Sequence, residues 1–437
     1  MTIGIIGLGY VGLTLAIAAA ECGITVYGTE IDKHIKECLK KDQTHFYEPG
    51  LDDLVKKHNR VRFFCVDEFP AGAEFDAFII TVGTPLVKGA KQPDFEYIKS
   101  ALQSIERVYD GGQLVILRST VSVGTTRDVV MPFLAELCGK PESEILAAMC
   151  PERTVEGKAI EELTGLPQII SGNNARSIVI AEALFRKITN NIIIADSLEE
   201  AELAKLYNNV YRDTSFSLGN LFCMGAQKFG LDGTKVIKLA NKDYSRSNIA
   251  LPGFVAGPCL EKDTYLLANN MPECAEREFF LSARQYNESL EDIVVEWVEK
   301  RFDEKSANRT VALSGMAFKG TPETNDLRGS SSVYIAQKLR AKGFALKLHD
   351  FVTPPEELEA LGLGVPCATV EDVCQDARLL LILNNHKGYK ALEPSAAMER
   401  DDFEVLDAWD VCAKLRGSGQ ISIWTLGNIR IEKNASV

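Results

Sequence analysis

The chain has 437 residues, more than one hydrophobic core supports, since single cores stop growing near about 250–300 residues; two or three domains are expected. Its 46% hydrophobic and 25% charged content is that of an ordinary globular protein, with no stretch of about 18 uncharged apolar residues to span a membrane. A net charge of -13 argues against nucleic acid or anionic membrane as partner, so an anionic ligand must meet a local basic pocket.

In chain order, the first half alternates β-branched apolar runs with helical patterns. Strands are expected at Ile3–Ile6, Ile24–Glu30, Val61–Val66, Phe75–Val82 and Leu114–Thr120, then at Ala147–Cys150, Ile169–Ser171 and Ile192–Ala195. Such alternation predicts a parallel sheet with helices on both faces. From about Ser197 to Arg301 the pattern is mostly helical, broken by the loop Tyr244–Pro258. A second alternating block carries Thr310–Ser314, Ala345–His349, Leu379–Leu383, Glu404–Leu406 and Ile421–Thr425. The expectation is α/β throughout: residues 1–196 as a dinucleotide-binding domain, 197–302 as a helical domain and 303–437 as a second domain like the first. The apolar opening MTIGIIGLGYVGLTLAIAAAE lacks a basic leader, so it reads as part of the fold and not as a signal peptide. Eleven cysteines without paired spacing predict reduced thiols in a cytosol, most of them small buried hydrophobes. His34, His45, His58, His349 and His386 show no metal-ligand spacing, and no metal is expected.

Gly7-Leu8-Gly9-Tyr10-Val11-Gly12 follows the first strand and opens a helical pattern. Gly7 permits the tight turn, Gly9 lets backbone approach a pyrophosphate, and Gly12 lets helix and strand pack closely. The helix start offers free N–H groups to the phosphates. Glu30, at the end of the second strand, has the spacing to accept from ribose hydroxyls and to repel a 2′-phosphate, which selects NAD over NADP. A bare Gly-x-Gly-x-x-Gly also occurs in ordinary turns; strand, helix and acid together carry the assignment.

Gly253 to Asp263 holds the other concentrated signal. Two glycines and Pro258 make a loop, and Cys259 sits where the helix Leu260–Ala268 begins, a place that favours thiolate. Cys259, Lys262 and Asp263 stand at i, i+3 and i+4, so nucleophile, cation and carboxylate share one face. Read without context, a buried structural cysteine beside solvated charges is as good an account. Lys205 and Asn209 face one way on a helix over Glu202–Tyr211. Pro151-Glu152-Arg153 follows a strand and Arg118-Ser119-Thr120 ends another, at the edge where open α/β sheets bind ligands. Ala317-Phe318-Lys319-Gly320 follows a strand in the last block.

Taken together, the stretches GIIGLGYVG (4–12), FYEPGL (46–51), RSTV (118–121), CPERTVEGKA (150–159), AELAKLYNN (201–209), GPCLEKD (257–263) and AFKGTPETNDLR (317–328) resemble the UDP-glucose/GDP-mannose dehydrogenase family nearly end to end. The resemblance implies two Rossmann-like doubly wound domains bridged by a long central helix, a homodimer formed through the helical domain, and a cytoplasmic role in polysaccharide biosynthesis. It implies oxidation of a sugar C6 alcohol to the uronate by two NAD⁺, through a thiohemiacetal and a thioester on Cys259. Lys205 and Asp263 then act on the alcohol proton and oxyanions, Asn209 holds the reacting oxygen, and Glu152 and Thr120 position or activate a water. Cofactor contacts by resemblance are Gly7, Gly9, Tyr10, Val11, Gly12, Glu30, Thr84, Thr120, Lys262 and Arg328. Substrate contacts are Glu152, Arg153, Glu156, Lys205, Asn209, Arg246, Gly257, Phe318 and Lys319. Pro151-Glu152-Arg153 together with LPQII (166–170) looks more like UDP-N-acetylhexosamine dehydrogenases, the mannosamine enzyme first, than like the UDP-glucose form; UDP-glucose and GDP-mannose remain the alternatives. Two departures stand out. Many members carry an arginine in a segment like Leu406–Asp410, and this chain has none there. Ser122-Val123 stand where prolines are usual, a change expected to affect only loop stiffness.

A β-hydroxyacid dehydrogenase also pairs the glycine loop with a helical domain, but makes one oxidation without a cysteine and lacks a second Rossmann-like block. An NAD-binding regulator on the same fold would show no turnover and no need for Cys259.

Overall fold

The computed structural model describes residues 1–87, 90–302, 308–419 and 421–431. The chain forms two compact units, one of Met1–Asn209 with Tyr265–Pro272, the other of Val210–Thr264 with the chain from Glu273 onward. The helices Leu198–Gln227 and Leu260–Asn269 supply residues to both.

The first unit is built on strands β1 (Thr2–Ile6), β2 (Thr25–Thr29), β3 (Phe63–Val66), β4 (Ala77–Ile80), β5 (Leu114–Leu117), β6 (Ala147–Met149), β7 (Gln168–Gly172) and β8 (Ile192–Ile194), in the order β3-β2-β1-β4-β5-β6-β7-β8. Strands such as β4 and β5 are buried along their whole length, because helices cover both faces and water reaches neither. The apolar opening of the chain has the same cause. It is β1 followed by the helix Tyr10–Glu21, whose residues Gly12 to Ala20 are all buried. Strand order reverses between β1 and β4, which leaves a crevice at their C-terminal ends.

Two strands depart from the expected parallel sheet: β7 pairs antiparallel with β6, and β8 runs parallel to β7. The connection between β6 and β7 holds only the seven-residue helix Ala159–Gly165. Glu48 accepts from the N–H groups of Gly157 and Ala159 in that connection, each at 2.7 Å.

The second unit contains a six-stranded, all-parallel sheet. It comprises β9 (Thr310–Ser314), β10 (Ala345–His349), β11 (Val365–Pro366), β12 (Leu379–Ile382), β13 (Glu404–Asp407) and β14 (Ser422–Trp424), in the order β11-β10-β9-β12-β13-β14. Its reversal lies between β9 and β12. The two-residue β11 has no sequence signal, and its pairing to β10 is supplied by position alone. Two Rossmann-like sheets and a 30-residue helix, Leu198–Gln227, are therefore present. No helix among the described residues is long and apolar enough to cross a membrane.

The helical part of this unit is pinned by a buried polar cluster that the hydrophobic pattern does not announce. The Asp213 carboxylate accepts from Arg284 at 2.9 Å, Asn287 at 2.8 Å and Thr264 at 2.8 Å. Arg284 also donates to the carbonyls of Val255 and Leu260, and Asn220 exchanges hydrogen bonds with both backbone groups of Gly253. The loop that carries Cys259 is thus held at three points along its length. Breaking a buried ion pair leaves one charge uncompensated, so Arg284→Met should destabilise the protein by about 3–5 kcal/mol. Urea denaturation at neutral pH checks this; an unchanged midpoint would show that the cluster does not hold the loop.

Candidate active site

At the crevice of the first unit, Gly7 has φ +90 and its N–H donates to Thr29 O at 2.9 Å, closing the turn after β1. A Cβ on Gly12 would stand 1.9 Å from Gly7 O, whereas one on Gly9 would meet nothing within 4 Å. Close packing at one glycine and open space at the other are what a pyrophosphate needs, and Leu13 N already bonds Gly9 O, so the helix begins there. These residues fit NAD. Glu30 closes the same loop: its Oε2 accepts from Leu8 N at 2.7 Å and its Oε1 from Ile31 N and Asp32 N at 2.7 and 2.9 Å. Three of its roughly four acceptor positions are filled by backbone, and one remains for a ribose hydroxyl. Thr84 donates to Thr120 O at 2.5 Å, which joins two expected cofactor contacts.

Tyr10 turns its phenol to Glu48 Oε2 at 2.5 Å, and the Gly157 N–H bonds the phenol oxygen at 3.1 Å. Burial first, and the Glu48 carboxylate second, push this phenol well above its ordinary range, so Tyr10 stays the donor. Val11 follows it in the first turn of the helix. The Glu48 of FYEPGL is therefore a clamp between the glycine loop and the segment 151–159, a role no spacing rule reveals. Glu156 of that segment lies near enough to act on Tyr10 electrostatically.

Glu152 and Arg118 form a buried ion pair. Burial alone would raise the Glu152 carboxyl; the Arg118 charge, the Thr154 N–H and the Lys205 ammonium outweigh it and hold the group below the usual carboxylate range. Lys205 and Asn209 are both buried on the long helix. Arg153 donates to the Pro167 carbonyl, so the two segments that resemble acetamido-sugar enzymes touch each other. Glu202, one turn before Lys205, accepts from Gly124 N, Thr126 N and Thr126 Oγ1, fixing the helix to the loop after β5. Ser122 does more than alter stiffness: its hydroxyl donates to Leu266 O at 3.1 Å, a bond no proline could make.

In the second unit, Cys259 opens the helix Leu260–Asn269, with Lys262 N and Asp263 N bonded to its carbonyl at 3.2 and 3.0 Å. Lys262 and Asp263 pair with each other at 2.7 Å, the carboxylate buried and the ammonium nearer solvent. Gly257 has φ +98, donates to Gly329 O at 2.8 Å, and lies so close to Phe318 that a Cβ would come within 2.6 Å of the ring. Phe318 and Gly257 thus come together, with the Lys319 ammonium 5.1 Å from the Phe318 ring. Arg328 is exposed and pairs with Asp326 at 2.6 Å. Arg246 is exposed, its guanidinium 4.9 Å from the Tyr244 ring. The segment without its own arginine receives cations from elsewhere: Lys238 reaches Asp410 at 2.6 Å, and Arg416 pairs with Asp410 as well.

The thiols correct one expectation. Only Cys150, Cys223, Cys374 and Cys412 of the eleven are buried; six are partly covered, and Cys259 alone is exposed. Burial pushes Cys150, Cys223 and Cys374 up to about 12, which leaves them unreactive. A small apolar side chain at a helix edge is not distinguishable in sequence from one in the core.

A glycine cradle for a dinucleotide, a second Rossmann-like unit and a lone exposed thiol at a helix start define an NAD-dependent oxidoreductase. Three family models match in succession: the UDP-glucose/GDP-mannose dehydrogenase family NAD binding domain over residues 1–189, the central domain over 199–289 and the UDP binding domain over 312–414. The chain is 33% identical over 348 residues to UDP-N-acetyl-D-mannosamine dehydrogenase of Campylobacter jejuni, covering 77% of this chain and 83% of that one. It is 31% identical to the Methanocaldococcus jannaschii enzyme of the same name, covering 88% and 86%. Among solved structures, UDP-D-ManNAc dehydrogenase from Pyrococcus horikoshii superposes with TM-score 0.85 at 28% identity, over 98% of this chain and 99% of that one. The chain belongs to the UDP-glucose/GDP-mannose dehydrogenase family and is an NAD-dependent nucleotide-sugar dehydrogenase.

Glu30→Ala should weaken NAD⁺ binding by about 1–3 kcal/mol, the cost of a lost hydrogen bond and an unbraced loop. Calorimetric titration reads the affinity, and turnover at saturating NAD⁺ should stay near that of the unaltered enzyme. Unchanged affinity would mean that Glu30 braces the loop without touching the cofactor.

Proposed function

We propose that this enzyme oxidises the C6 hydroxyl of a UDP-N-acetylhexosamine, UDP-N-acetylmannosamine first, to the uronate through covalent capture on Cys259. The observation that carries the reading is the exposed thiol at a helix start, one turn from the Lys262–Asp263 pair. The names of the relatives and the contact between Arg153 and Pro167 support the choice of sugar.

The residues divide the chemistry as follows. Gly7, Gly9, Tyr10, Val11, Gly12, Glu30, Thr84, Thr120, Lys262 and Arg328 hold NAD⁺, which supplies the hydride acceptor for each of two oxidations. Asp263 takes the proton of the C6 alcohol, Lys205 steadies the oxyanions and Asn209 holds the reacting oxygen. The Cys259 thiolate adds to the aldehyde carbon, which keeps a reactive intermediate from escaping. Loss of the second hydride leaves a thioester. Water, positioned by Glu152 and Thr120, adds to the thioester carbon; the C–S bond breaks, the thiolate of Cys259 departs, and a carboxylate and two protons are released. Arg153, Glu156, Arg246, Gly257, Phe318 and Lys319 contact the sugar nucleotide. The domain roles follow residues 1–196, 197–302 and 303–437.

The working form is a homodimer. Tyr207, Tyr211, Leu218, Leu221 and Phe222 are exposed along one stripe of the helix Leu198–Gln227, and an apolar stripe of this length calls for a partner. Eleven cysteines without paired spacing suit a reducing compartment, the cytoplasm.

An NADH-coupled screen of UDP-sugars and GDP-mannose tests the reading. UDP-N-acetylmannosamine should give the highest kcat/KM and two NADH per sugar; one NADH, or preference for GDP-mannose, would sink it. Cys259→Ala should abolish uronate formation yet still reduce an added sugar aldehyde with NADH, and uronate at the normal rate from this variant would end the covalent mechanism. For the assembly, Leu218→Glu with Phe222→Glu should halve the mass measured by sedimentation, and an unchanged mass would place the interface elsewhere.

A further inference from the structure

Arg118 follows β5 directly and is 1% exposed. Its Nη1 donates to Cys150 O at 3.1 Å and to Gln168 Oε1 at 2.9 Å, its Nη2 donates to Glu152, and the guanidinium stands 5.3 Å from the Phe185 ring centre. The ends of β5 and β6 and the start of β7 are therefore joined through one planar group. Glu152 is bound from the other side as well: its Oε1 accepts from Arg153 N at 2.7 Å and Thr154 N at 2.8 Å. That fills Oε1. Oε2 takes one guanidinium N–H and keeps one acceptor position among the described residues.

A pair this deeply buried is a poor device for stability, because desolvating two ions offsets their attraction. Arg118 even leaves its Nε without a partner. Such an arrangement holds a charge in a fixed place. Resting on the covalent reading above, we infer that Arg118 is the positioning residue for the water-dependent step: its fork clamps Glu152 so that a single carboxylate oxygen is presented to the water that cleaves the thioester. Both oxidations precede that step and do not need it.

The charged groups acting on Glu152 are Arg118, the neighbouring Arg153 and Lys205. With these in place the Glu152 carboxyl is held below the usual carboxylate range, as an anion that can accept a water O–H. Removing the Arg118 charge lets Glu152 take a proton at higher pH, so the acid side of the kcat profile moves up.

The test separates hydrolysis from oxidation. Arg118→Lys keeps the charge but cannot fork to Glu152, Cys150 and Gln168 together. With UDP-N-acetylmannosamine and NAD⁺ at saturation, it should retain the initial burst of NADH while steady-state kcat falls about 100-fold, with both KM values little changed. Rapid quench and intact mass should show the sugar nucleotide bound to Cys259 on most chains. Arg118→Gln should add the shift of the acid limb, which Arg118→Lys reverses. Gln168→Leu, which loses one contact of the fork and no charge, should give a smaller accumulation of the same adduct and carries the test if neither arginine variant folds. Full turnover in a folded Arg118→Lys, or slow turnover with no burst and no adduct, would overturn the inference. Failure of the underlying reading looks different: the unaltered enzyme would form no uronate, or Cys259→Ala would still form it.

Discussion

Gly12 lies so near the Gly7 carbonyl that a single methyl group cannot be fitted between them. This close approach sets the direction in which the first helix leaves the sheet, and much of the first unit follows from it. The helix start carries Tyr10, whose phenol meets Glu48; Glu48 in turn grips the backbone of Gly157 and Ala159. On either side of that segment, Glu152 and Gln168 meet the same guanidinium, that of Arg118. The cofactor cradle and the carboxylate beside Lys205 are parts of one hydrogen-bonded frame, not separate motifs.

Two buried ion pairs do comparable work in the two units. Arg118 with Glu152 fixes a buried carboxylate; Arg284 with Asp213 fixes the loop of Cys259. Neither is a favourable way to gain stability, since an apolar replacement of similar shape avoids the desolvation cost. What each supplies is a defined position. A guanidinium donates through a rigid fork, so it can hold several carbonyls and a carboxylate in a fixed relation where a hydrophobic contact would let them slide. In the proposed mechanism a thiol meets an aldehyde carbon and a carboxylate meets a water, and both tolerate little displacement.

The glycine loop also shows how one short sequence combines rigidity and access. Gly7 supplies a backbone conformation with positive φ, Gly12 supplies contact and Gly9 supplies open space. Glu30 then spends most of its hydrogen-bonding capacity on the loop itself, bracing Leu8 from below. A side chain expected to read the ribose is first a part of the scaffold that receives it.

The two sheets, the glycine cradle, the helix start at Cys259 and the helical face of Lys205 and Asn209 are legible in the amino-acid sequence. All of these are written in local periodicity and in residues whose backbone or charge preferences act within a turn or two. The antiparallel return of β7, the Glu48 clamp, the partners of Arg118 and Arg284, and the burial of particular cysteines emerge on folding alone. Glu48 meets Ala159 across 111 positions of sequence, and Asp213 meets Arg284 across 71. Separations of that size leave no trace in spacing. A buried carboxylate and a solvated one have the same letter, and what distinguishes them is the set of donors that folding brings within 3 Å.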